Sequence, residues 1–143
     1  MAYAFTGLVL WFAFFLLVPK GEWRNYYSTV IFTALLATVC DLLGVVYRQW
    51  VYIGPTVGGV SLWSDLGIAP PQGGLAVYFQ RKFPARAWAN WLFWISANAL
   101  GERLFVQWGL ISHLNWNSLK ATIFYLLFFG IIFIQDRFFS PLS

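Results

Sequence analysis

At 143 residues the chain has the length of one domain, yet 60% of it is hydrophobic and only 10% charged, a balance that excludes an ordinary soluble globular protein and points into a lipid bilayer. An aromatic share of 22%, including nine Trp, suits the headgroup level, where an apolar ring and a polar edge are both satisfied. The net charge of +4 is modest and sits in small clusters beside apolar runs, the pattern of membrane orientation signals, so nucleic acid is not an expected partner.

The first expected span covers about residues 2–18 and stops at Pro19, Lys20 and Gly21. Its basic residues, Lys20 and Arg24, follow the apolar run, the reverse of a cleaved signal peptide, so it reads as a retained span. A second span, about 27–47, precedes Arg48 and Gln49 and carries one charge, Asp41. Ala34, Ala37, Thr38, Asp41, Gly44 and Arg48 recur at three- and four-residue steps along it, giving one small and polar stripe. Residues 53–61, with Gly54, Pro55, Gly58 and Gly59, read as a loop or partly re-entrant turn.

The third span, about 62–80, holds Asp65 near its start and Pro70, Pro71, Gln72, Gly73 and Gly74 in its middle. Adjacent prolines remove two amide donors and clash with the preceding turn, so an interruption is expected at Pro70–Pro71. The half-helix ends and Gln72 then become candidates for contacting an ion or polar ligand. Arg81, Lys82 and Arg86 form the densest basic cluster. The fourth span, about 87–108, places Asn98 and Glu102 four apart, with Ala97 and Gly101 beside them. Residues 109–118, GLISHLNWNS, read as a polar and aromatic connection, and the fifth span, about 121–135, is uniformly apolar, capped by Asp136 and Arg137, and expected to face lipid. The sum is an all-α polytopic bundle of five spans in a single domain. No sequence repeat is visible, and an odd span count argues against an inverted duplication.

Basic residues set the orientation. Lys20, Arg24, Arg81, Lys82, Arg86 and Arg137 fall on one side, against Arg48, Arg103 and Lys120 on the other. The richer side is expected to be cytoplasmic, which puts the N-terminus outside and the C-terminus inside. Asp41, Asp65 and Glu102 then converge toward the outer face. An acid at mid-membrane costs roughly 2.5–3.5 kcal/mol, so three unpaired acids would cost on the order of 8–10 kcal/mol, and they are expected to share partners.

Glu102 and Arg103 point about 100° apart on a helix and need not pair with each other. Glu102 is expected to face Arg48 or bond Asn98, while Arg103 snorkels to the rim or reaches Asp65. The polar set Asp41, Asp65, Glu102, Arg103, Arg48, Asn98, Gln72 and His113 reads either as an interhelical clamp or as a binding or proton-handling site. His113, the sole histidine, has no second histidine or carboxylate at ligand spacing, and Cys40 is alone, so no metal or haem site is expected. Cys40 reads as a packing residue. There is no phosphate loop, HExxH or GxSxG motif, so no catalytic residues and no cofactor are assigned.

The segment SDLGIAPPQGGLAVYFQRKFP, the pair Glu102–Arg103, the run GLISHLNW and the final aromatic span ending at Asp136–Arg137 together resemble a family of small polytopic membrane proteins found mainly in spore-forming Gram-positive bacteria. The resemblance covers the second half of the chain. It implies five spans in a bacterial cell membrane and brings no activity, substrate or cofactor. The functional expectation is a non-enzymatic membrane subunit or assembly factor with an intramembrane polar clamp near the outer face, partnered by the bilayer and by a second membrane protein or further copies of itself. The alternative is a small-solute, ion or proton pathway component using Asp41, Asp65 and Glu102.

Overall fold

Each long apolar run folds as a helix, which satisfies the backbone polar groups within the run itself. In a computed structural model of the chain, which describes residues 2–139, these helices are α1 (Ala2–Leu17), α2 (Tyr27–Val46), α3 (Ala69–Lys82), α4 (Ala87–Gln107) and α5 (Ser118–Phe139). The chain is mostly helical, as the all-α expectation has it. Two short strands were not expected: β1 (Trp50–Tyr52) follows α2, β2 (Ile111–His113) follows α4, and they pair antiparallel with Val51 opposite Ser112.

The strands reveal a repeat that residue identities conceal. Tyr47 caps the end of α2; Arg48 then turns left-handed at φ 53° with its N–H on Val45 O at 3.0 Å, and Gln49 N–H reaches Gly44 O at 2.8 Å. Trp108 caps α4 in the same way, with Gly109 at φ 67°, its N–H on Val106 O at 3.0 Å, and Leu110 N–H on Phe105 O at 2.9 Å. Both are Schellman closures, which satisfy the last helical carbonyls while reversing the chain. A strand begins at the same distance after each. The α2–β1 and α4–β2 stretches are therefore two copies of one helix–turn–strand unit at a constant offset, and their strand pairing relates them by a local two-fold axis through Val51 and Ser112. Counterpart residues differ in kind: Tyr47 and Trp108, Arg48 and Gly109, Trp50 and Ile111.

The expected interruption at Pro70–Pro71 takes another form. A π-helical turn, Trp63–Ile68, runs straight into α3, and the prolines occupy the first turn of that helix. Missing amides are tolerated there, and the wider π turn ahead gives the proline rings the room an α turn would deny. The helix changes pitch before the prolines instead of breaking at them.

α3 is the central helix, with Pro70, Pro71, Gly73, Gly74, Leu75, Ala76, Val77 and Tyr78 all buried. Small residues let its neighbours close in. A Cβ on Gly73 would run into Thr33 of α2, and one on Gly74 would come 2.6 Å from the Phe14 ring of α1. α5, expected to face lipid, has two faces: Leu119, Leu127 and Ile134 are exposed, while Phe129 and Ile132 are fully buried where α5 packs along α4 and against α2 and α3.

The outside is apolar. Phe12 is 69% exposed and Leu35 62%, while Thr29, Thr33 and Asp65 are wholly buried, the reverse of a soluble protein's distribution. Two helical stretches, Lys20–Val46 with 27 residues and Ser118–Phe139 with 22, are long and apolar enough to cross a membrane, and their most apolar windows are only 17% and 28% buried. A buried core helix of a soluble protein would show the opposite. α1 is a shorter apolar helix.

Candidate functional site

Each helix–turn–strand unit contributes one acid at the same position, and the strand of that unit reaches back to it. In the first, Tyr52 of β1 donates its hydroxyl to Asp41 Oδ2 at 2.5 Å. In the second, His113 of β2, the two-fold counterpart of Tyr52, brings Nε2 to 2.9 Å from Glu102 Oε1, close but off hydrogen-bond alignment. Glu102 also accepts from Trp116 Nε1 on Oε1 at 2.9 Å and from the Tyr125 hydroxyl on Oε2 at 2.7 Å. Burial first, and the Asp41 carboxylate second, hold the Tyr52 phenol well above its ordinary pKa, so it stays a donor across the physiological range.

Between the two acids lies a cavity of about 310 Å³ that both of them line, together with Tyr52, Trp50, Gln72 and Asn98. Among the described residues, no Lys or Arg lines it. Trp50 is 7% exposed and its buried indole Nε1 meets no acceptor among the described residues. Gly44 makes this possible, since any Cβ there would collide with the Trp50 ring.

Asp65, on the π turn, is fully buried, and its carboxyl lies beside that of Asp41 and beside Thr38. Among the described residues neither Asp65 oxygen meets a well-aligned donor. Asp41 and Asp65 are thus neighbours, and Asp41 and Glu102 share a cavity. Gln72 and Asn98 line that cavity, with Asn98 Nδ2 also donating to Trp94 O at 2.9 Å.

The expected cationic partners are elsewhere. Arg48 is exposed beyond the end of α2, where its carbonyl accepts from Asn115 Nδ2 at 3.1 Å, and Arg103 is exposed with Nε donating to Ser118 Oγ at 3.1 Å. Neither pairs with Glu102 or Asp65, because the left-handed turn throws Arg48 outward and the helical step from Glu102 points Arg103 away from the cavity. Neutral aromatic donors take their place. Sequence reading missed Tyr52, Trp116 and Tyr125 because hydroxyl and indole groups from two connections and from α5 were assigned to the rims; the alternation of Trp50 and Tyr52 straight after a helix end was the available signal.

A second polar centre closes the opposite end. Asp136, expected to cap the fifth span, is buried and accepts two bonds from Arg81, Nη2 to Oδ1 at 2.6 Å and Nε to Oδ2 at 3.1 Å. Thr29 Oγ1 adds a contact to Oδ1 at 3.4 Å, and the guanidinium lies 5.1 Å from the Tyr26 ring centroid.

Among the described residues, no group of three or more His, Cys, Asp or Glu is placed to hold a metal ion. Compared with known proteins, the chain matches no family model, no curated protein and no solved structure. Its own residues are the ground for a functional reading.

Proposed function

We propose that the chain is a non-enzymatic, five-span protein of a bacterial cell membrane and a component of a small-solute, ion or proton pathway, with the cavity between Asp41 and Glu102 as its binding chamber. One observation carries this reading: two carboxylates line a chamber of about 310 Å³ to which, among the described residues, no Lys or Arg contributes. Acids that only hold helices together are closed off by their partners, whereas these two keep a face on open space. The apolar exterior of α1, α2, α4 and α5, and the polar residues gathered inside, support five crossings, with the π turn and α3 as the third. Lys20, Arg24, Arg81, Lys82 and Arg86 gather at the end opposite the cavity, which is the cytoplasmic end by the positive-inside rule. The N-terminus is then outside, the C-terminus inside, and the paired strands face the extracytoplasmic medium. The resemblance to the small polytopic family of spore-formers gives the same number of spans.

The test is flux in proteoliposomes under an imposed pH gradient. Glu102→Gln keeps an amide oxygen to accept from Trp116 and turns the other bond round, its NH2 donating to the Tyr125 hydroxyl, while removing the charge, so it is expected to fold normally and to lose the pH-dependent flux. A folded Glu102→Gln protein that transports as the parent does, or a parent with no flux at all, sinks the reading. A second reading, a subunit or assembly factor whose polar groups clamp its own helices and engage a partner, is favoured by the way Trp116 and Tyr125 tie α4 to α5 through Glu102. Under it, the protein leaves its native membrane in mild detergent with a stoichiometric companion.

A further inference from the structure

We infer that the chamber takes an organic ammonium group, an assignment that rests on its being a binding chamber in the first place. Sign comes first. Asp41 and Glu102 occupy equivalent positions in the two units and line one cavity, and no basic side chain among the described residues lines it, so an anion is repelled and a single positive charge placed between them is attracted by both. In proteins built from repeated units, polar ligands commonly sit at the interface between the repeats, and this cavity lies there.

The walls then separate an organic cation from a metal ion. Trp94, Phe105, Trp116 and Tyr125 are among the rings that line the space, and aromatic faces attract ammonium groups through the ring quadrupole. Hard inorganic cations instead need about six oxygens at roughly 2.3–2.6 Å. Here Asp41 Oδ2 and both Glu102 oxygens already accept from Tyr52, Trp116 and Tyr125, which leaves too few to complete such a shell. A volume of about 310 Å³ admits a compact ligand of this kind. The ligand class is a compact primary or quaternary ammonium compound, free in solution or carried as a lipid headgroup.

Purified full-length protein in phosphatidylglycerol nanodiscs, titrated calorimetrically with choline and with ethanolamine, tests this. Saturable binding of at least one is expected, with no binding of the uncharged isostere in which a tert-butyl group replaces the trimethylammonium. Glu102→Gln is expected to weaken binding by about tenfold or more, because a charge-assisted contact is lost. Ala97→Phe, which fills the cavity without touching either acid, is expected to abolish binding, so the outcome does not hang on one acidic variant. Repeating the titration in phosphatidylethanolamine nanodiscs identifies the source: suppressed binding points to the lipid headgroup and unchanged binding to the free solute, and both support the ammonium site. Absence of saturable binding, equal binding of the uncharged isostere, or response to sodium or potassium alone overturns the inference. If ammonium probes fail while flux dependent on Glu102 persists, only the ligand class is wrong; if both fail, the chamber reading falls with it.

Discussion

Glu102 and Asp136 show two ways of seating an acid among apolar helices. Asp136 is answered by a cation, Arg81, in a two-pronged bond, whereas Glu102 is held mainly by neutral donors, an indole and a phenol, with an imidazole nearby. Breaking the first should therefore cost more than neutralising the second. Asp136→Asn is expected to lower stability by about 2–3 kcal/mol, less than the roughly 3–5 kcal/mol of a fully buried pair, because the Arg81 side chain is 31% exposed and partly screened. Thermal unfolding in detergent measures it, and a midpoint unchanged from the parent would show that the pair is ornamental to the fold. The acids at positions 41, 65 and 102 stood out in the sequence because hydrocarbon penalises them; their aromatic partners did not, since a Tyr or Trp in a membrane sequence satisfies a rim as readily as a site.

At the scale of elements, the two Schellman closures differ in one informative way: Gly109 adopts its left-handed conformation freely, while Arg48 pays a steric cost at φ 53°. The Arg48 side chain is exposed and only its carbonyl is used, by Asn115. Arg48→Gly is thus expected to raise stability by about 0.5–1 kcal/mol, and Gly109→Ala to lower it by about 1 kcal/mol, in the same unfolding assay. Opposite signs are the point; a loss in both would mean that the turns are not equivalent. The five helical segments were legible from apolar runs, and their ends from Pro19 and from the polar breaks near residues 48 and 109. The π turn was not, because the prolines announce a disturbance without saying on which side of them the helix absorbs it. The packed face of the fifth helix was hidden for a similar reason: a uniformly apolar segment presents the same composition to lipid and to a packed neighbour, and only Gln135 and Asp136, both buried, betrayed its inward side.

Across the whole molecule, one short strand pair joins the two units and closes the end of the cavity. With Cys40 replaced by Ser, the double variant Val51→Cys, Ser112→Cys is expected to cross-link under mild oxidation, since directly paired residues on antiparallel strands lie within disulfide reach. The cross-link should slow solute access in the flux assay, with recovery on reduction. Failure to cross-link would mean that the units do not meet there. This relation was hidden in the sequence because the repeated feature is a backbone path, while the side chains on it differ, Asp against Glu and Tyr against His. The burial of α3 bears on how the chain is made. On the five-span reading proposed above, its Gln, double-Gly and double-Pro content gives little that would partition into lipid unaided, so this helix would be recruited by surfaces already in place on α1 and α2. Biogenesis on that reading is cooperative, with the first hairpin acting as a template for what the bilayer would otherwise refuse.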